Sequence, residues 1–193
     1  MINGKTACVF CGSSIGASPI FEHDARVLGE LLAKSGTKLV YGGGSLGLMG
    51  AVAKAAMQHA GHVTGVIPKF LCSLEKPDLP LSELIVTSDM HERKMNMWER
   101  ADGFIVLPGG VGTFEELLEQ LTWVQLGQHH KPIILLNTNG YWNLLEALFH
   151  HMRSNGFIRK ELEITYHLAS SPSHALNVFE THATKHRQQE GIA

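Results

Sequence analysis

"ADGFIVLPGGVGTFEE", residues 101–116, changes character in its middle. Residues 104–107 are continuously apolar, as a strand buried on both faces requires. Pro108 ends the run, and three glycines and a threonine then lead into Glu115 and Glu116. A buried strand that breaks through glycine into a helix is one βα unit, and the same grammar recurs along the chain. "TACVFCGSS" (6–14), "KLVYGGG" (38–44), "HVTGVIP" (62–68), "LIVTS" (84–88), "KPIILLN" (131–137) and a weaker run near 164–168 each precede a helical pattern. Continuously apolar strands alternating with helices predict an α/β protein: a Rossmann-like, doubly wound parallel sheet with helices on both faces. Loops leaving the carboxyl ends of the strands then form the binding edge.

The helices carry their own punctuation. Ser18 reads as an N-cap with Pro19 at the first helical position, and Gly36 as the C-cap of that helix. Asp89 with Glu92 reads as a capping box at the start of "DMHERKMNMWERA". Thr113 with Glu116 matches the same box. A polar, proline-containing stretch runs from 69 to 83. A chain of 193 residues is expected to form one domain, here residues 1–185, with a frayed polar tail over 186–193.

Composition narrows the function classes. With 44% hydrophobic and 18% charged residues the chain can bury a real core, and its net charge of −2 provides no basic field for nucleic acid. No apolar run is long enough for a membrane span. The twelve histidines are scattered without metal-ligand spacing, so no metal is expected. Cys8 and Cys11 form a C-x-x-C, but on a strand running into a loop the thiols need not converge; with Cys72 the count is odd. A reduced, cytoplasmic protein is the expectation.

Two glycine segments compete for a phosphate. "GGGSLG" (42–47) has the dinucleotide spacing, yet no acid follows the next strand to hold a ribose. Glycines for a tight turn and close packing remain the alternative. "PGGVGTFEE" (108–116) is more specific: glycine amides and a helix N-terminus suit an anion, and no Lys-Ser/Thr pair makes it a Walker A loop. Arg93 and Arg100 lie seven residues apart on one helical face, with Lys94 turned away.

"MHERK" followed by "LPGGVGTFEE" and "LTWVQLGQHHKPIILLN" resembles the LOG (Lonely Guy) family, cytokinin riboside 5′-monophosphate phosphoribohydrolases formerly mislabelled as lysine decarboxylases. The resemblance extends from "FCGSS" through "YGGGSLGLMG", nearly the whole chain. It implies Arg93 and Glu116 as the catalytic pair. It implies substrate contacts from Lys94, from Gly109, Gly110, Val111, Gly112, Thr113, Phe114 and Glu115, and from Glu75 and Thr122. Gly12, Ser13 and Gly43 line the same edge. It further implies a nucleoside 5′-monophosphate as substrate, no cofactor, and a homodimer in which a partner helix helps to close the pocket. Alternatives are a general AMP nucleosidase, a non-catalytic nucleotide sensor, and a pyridoxal-phosphate decarboxylase, which would need a Schiff-base lysine in the site.

Overall fold

The computed structural model describes residues 4–190, with side chains through 184. Seven parallel strands form one sheet in the order β4-β3-β2-β1-β5-β6-β7. They are β1 (Thr6–Phe10), β2 (Lys38–Tyr41), β3 (Val63–Pro68), β4 (Glu83–Thr87), β5 (Gly103–Val106), β6 (Ile133–Leu136) and β7 (His167–Ala169). The helices are α1 (Pro19–Lys34), α2 (Gly47–Gln58), α3 (Cys72–Glu75), α4 (Met90–Arg100), α5 (Val111–Gln125), α6 (Asn143–Ser154) and α7 (Pro172–Glu190). The expected doubly wound sheet is therefore present. The backbone of α7 continues through residue 190, into the stretch expected to fray, and 191–193 lie outside the described residues.

Each face has its own core. On one, Leu28 and Leu32 of α1, Val52 of α2 and Phe179 of α7 cover Val9, Leu39, Tyr41 and Ile105 of the sheet. On the other, Met97 of α4, Leu117 of α5 and Phe149 of α6 cover Cys8, Val40, Phe104 and Leu135. Successive strand residues point to opposite faces, so the inner strands must be apolar throughout. Cys8 and Cys11 fall in opposite cores, both as free thiols, and burial raises the pKa of each. They cannot act as a dithiol pair in this arrangement.

The small residues of α2 allow a close crossing with α1. A methyl group on Gly29 would stand 2.2 Å from the Val52 carbonyl oxygen. Gly29→Ala should therefore destabilise the protein by about 1–3 kcal/mol, although alanine ordinarily favours a helix by roughly 1 kcal/mol over glycine. Urea unfolding checks this; a gain in stability would contradict the packing described.

The chain winds outward from β1 to β4, returns, and continues from β5 to β7. The winding direction reverses between β1 and β5, which pair in parallel with Phe10 opposite Val106. Ligands bind α/β sheets at such a reversal, beyond the carboxyl ends of the strands. The loops after β1 and β5 meet there, with the Gly12 amide donating to the Pro108 carbonyl at 3.1 Å.

Candidate active site

The loop after β5 ends in a helix that starts earlier than its sequence suggests. Gly110 is the N-cap of α5, and no side chain caps the helix. Thr113 and Glu116 thus lie inside the first two turns, and the expected Thr113–Glu116 capping box does not form. The physical reason is the glycine run, which lets the backbone enter the helix before Thr113 is reached. The first main-chain helical bond runs from the Phe114 amide to the Gly110 carbonyl. Consequently the amides of Val111, Gly112 and Thr113 have no partner within the helix, and they bring the positive end of its dipole to one point.

α4 approaches from the other side, and here the expected cap is present. Asp89 accepts from the Glu92 amide at 2.9 Å, while Glu92 accepts from the Ser88 amide and hydroxyl. This fixes the helix that carries Arg93. Arg93 Nη2 donates to Glu116 Oε1 at 3.1 Å, and both side chains are about nine-tenths buried, at 10% and 9% exposure. Gly42 leaves the space the guanidinium needs, since a methyl group there would stand 2.5 Å from Arg93 Nη2. Gly44 does the same for Glu75, whose Oε2 would lie 2.7 Å from such a methyl. The triple glycine after β2 thus makes room for charged side chains of the cleft.

Glu116 is pushed up to about 7, because burial penalises its charged form more than Arg93 restores it. Its Oε1 receives the arginine. Glu75 Oε2 and Arg93 Nε are buried without a hydrogen-bond partner. Both residues line one cavity, and unpaired buried polar atoms beside a cavity are groups that a polar ligand can satisfy. That cavity measures about 300 Å³, at the lower end of small-molecule pockets.

Most of the expected residues converge on it. Arg93, Glu75 and Glu116 line it together with Gly12 and Ser13, and the α5 entrance contributes Gly110, Val111, Gly112, Thr113 and Glu115. Others stand elsewhere. Lys94 points along α5, bonding Glu115 at 2.7 Å and Glu119 at 2.8 Å. The Thr122 hydroxyl donates to the Leu118 carbonyl on the exposed side of α5. Phe114 is partly buried and packs against the core, and Gly43 sits against Ile67 and Val66. Gly109 lines an adjoining cavity. Arg100 does not join Arg93: two turns along, it faces Glu83 at 3.7 Å at the opposite edge of the sheet. Trp98 and Trp123 pack edge to face beside His129, with the Lys131 ammonium over the Trp98 ring.

Sequence reasoning missed the apolar part of the wall, Met49 and Leu71, and it missed Tyr141. The Tyr141 hydroxyl donates to the Gly109 carbonyl at 2.5 Å. "NTNGYW" (137–142) leaves the carboxyl end of β6, and that position was the available signal. Gly109 is held tightly: a methyl there would meet Thr113 Oγ1 at 2.2 Å and the Gly12 amide nitrogen at 2.9 Å. Gly109→Ala should displace the loop and lower kcat/KM by about 10²-fold, the cost of an ångström-scale misplacement. Steady-state kinetics on the folded variant test this, and an unchanged kcat/KM would remove the loop from the site.

Two comparisons bear on identity. A family described as "Possible lysine decarboxylase" matches residues 49–179. The probable cytokinin riboside 5′-monophosphate phosphoribohydrolase LOGL1 of Oryza sativa subsp. japonica is 44% identical over 181 residues, 94% of this chain and 81% of that protein. The chain belongs to the LOG family. Another member, the cytokinin riboside 5′-monophosphate phosphoribohydrolase LOG7 of Arabidopsis thaliana, is 49% identical over 80% of this chain and 71% of its own. The LOG fold also appears in solved structures. The Moco carrier protein of Chlamydomonas reinhardtii superposes with a TM-score of 0.71 at 22% identity, covering 95% of this chain and 99% of that one. The molybdenum cofactor binding protein of Rippkaea orientalis gives 0.68 at 23%, covering 94% and 98%. At such identities the likeness is one of fold.

The decarboxylase wording of the matched family raises pyridoxal phosphate. The residues do not fit it: among the described residues no lysine lines the cleft, and the Lys94 ammonium is paired with Glu115 and Glu119. A Schiff base has no amine to form on there.

Proposed function

We propose that this LOG protein hydrolyses the N-glycosidic bond of cytokinin riboside 5′-monophosphates, releasing free base and ribose 5-phosphate. The observation that carries the reading is the buried Arg93–Glu116 pair beside the uncapped start of α5. The amides of Val111, Gly112 and Thr113 receive the 5′-phosphate, with Ser13 opposite. The sugar then lies over Glu116. As the bond to the base breaks, positive charge grows on the ribose, and the carboxylate stabilises it. Water adds across the bond, its hydroxyl to the anomeric carbon and a proton to the departing base. A carboxyl whose pKa lies near 7 is well matched to take the water's proton at neutral pH. Arg93 holds that carboxylate in place and favours its ionised form. Glu75 completes the polar end of the cleft.

The apolar wall supports a prenylated base over bare adenine. Met49, Leu71 and Met90 line the cleft, and Val111, 86% exposed, stands at its mouth. An exposed valine at the entrance also supports a homodimer closing over it. Among the described residues no helix is long and apolar enough to cross a membrane; the free thiols of Cys8, Cys11 and Cys72 support a reducing, cytoplasmic location.

Removal of the 5′-phosphate tests the cradle. Two or three charge-assisted hydrogen bonds at about 1.5–3 kcal/mol each make the riboside at least about a hundredfold poorer in kcat/KM than its monophosphate. Equal turnover of the two would overturn the phosphate assignment.

A further inference from the structure

A second cavity, of about 220 Å³, adjoins the catalytic cleft and shares Gly12, Ser13 and Gly110 with it. Its remaining wall is mostly apolar and aromatic, with Ile15, Phe21, Leu48 and Tyr141. This wall is built rather than a gap between loops. The Phe21 and Tyr141 rings meet edge to face at 5.9 Å, and Tyr141 meets Trp142 in the same way at 4.9 Å. The Tyr141 hydroxyl is tied to the Gly109 carbonyl, and Thr138 in the same loop donates to Asp24 of α1 at 2.6 Å.

Of the shared residues, Ser13 belongs to the proposed phosphate cradle and Gly110 is the N-cap from which its amides follow, so the cradle lies at the border of the two cavities. With a nucleoside in the cleft and its phosphate on the cradle, the second cavity receives whatever is attached to that phosphate. We infer that it takes the second nucleoside of a dinucleoside pyrophosphate, which therefore binds across both cavities. The inference rests on the reading of the cleft as a nucleotide site. Charge favours this class over a nucleoside diphosphate. In a dinucleoside pyrophosphate each phosphorus bears one negative charge, so the total matches that of a fully ionised monophosphate. A nucleoside diphosphate instead carries a terminal dianion toward a cavity with no lysine or arginine in its lining. The aromatic wall suits a base, whose stacking on such side chains is sequence-tolerant.

The test is competition against AMP turnover by the intact protein, using diadenosine 5′,5′-diphosphate and ADP as competitors. The dinucleotide should compete on the order of tenfold better than ADP, as one base–aromatic contact implies. Ile15→Glu places a charge in the second cavity at a position 53% exposed, where folding is not at stake. It should abolish that preference while leaving AMP turnover and ADP competition as they were; Phe21→Ala should weaken the preference too. Equal competition by the two ligands, or a preference that survives both substitutions, would overturn the inference while leaving the catalytic reading intact. Absence of both AMP turnover and nucleotide binding would overturn the two together.

Discussion

Glu116→Gln is expected to lower kcat for base release by about 10²–10⁴-fold, the range for a positioned general base. The substitution keeps size and hydrogen-bonding capacity, so Arg93 retains an acceptor in a site about nine-tenths buried. What is lost is the negative charge opposite the forming oxocarbenium and the ability to take a proton. KM for the monophosphate should change little, because the proposed phosphate cradle is built from the α5 amides and not from Glu116. The pH profile gives a second readout. A carboxyl raised to about 7 is mostly protonated below that value and ionised above it. Activity that needs the carboxylate should therefore rise with pH through about 7 and level off. The substrate phosphate has its own ionisation near 6, so the profile is read from kcat at saturation. In Glu116→Gln the rise should vanish from the residual rate. A rate that falls with increasing pH would assign Glu116 as an acid instead.

Arg93→Ala should affect both folding and catalysis. Removing one member of a buried ion pair costs about 3–5 kcal/mol. The lower end applies here, because a carboxyl already close to neutrality at pH 7 can take up a proton. For a chain of this size about 3 kcal/mol corresponds to a Tm lower by roughly 6–12 °C. Without the guanidinium, Glu116 loses the largest influence that offsets its burial, and its pKa moves further up. The kinetic signature is then an activity rise displaced to higher pH, with partial recovery under alkaline conditions. Arg93→Lys restores the charge but not the planar fork, and it should recover part of the pH displacement. Calorimetry and kcat–pH profiles on the pair check this. An unchanged profile in Arg93→Ala would mean the arginine does not tune the carboxylate.

The doubly wound sheet was legible because its strands are apolar without alternation and each runs into a loop and helix. The site was legible wherever composition had no other explanation, as in the three glycines before Glu115 and Glu116. Local signals misled where glycine competed with them. Thr113 and Glu116 carry the spacing of a capping box, but Gly110 starts α5 and leaves both residues inside the helix. Arg93 and Arg100 share a helical face by spacing alone, yet α4 spans the sheet from edge to edge, so one reaches the cleft and the other Glu83. Residues 69–83 read as a polar connection, although they contain a 3-10 turn and α3, which carries Glu75 to the cleft. Tyr141 was not legible, because its role depends on a contact with Gly109 thirty-two residues away in the chain.

The measurement that tests the account most directly is incubation of the purified protein with N6-isopentenyl-AMP and with AMP, followed by separation of base, ribose 5-phosphate and nucleotide. Free base and ribose 5-phosphate should form in equal amounts, faster from the prenylated substrate, for whose side chain Met49, Leu71 and Met90 provide an apolar wall. Both nucleotides bound but recovered intact would contradict it and leave the cleft a nucleotide-binding site without chemistry.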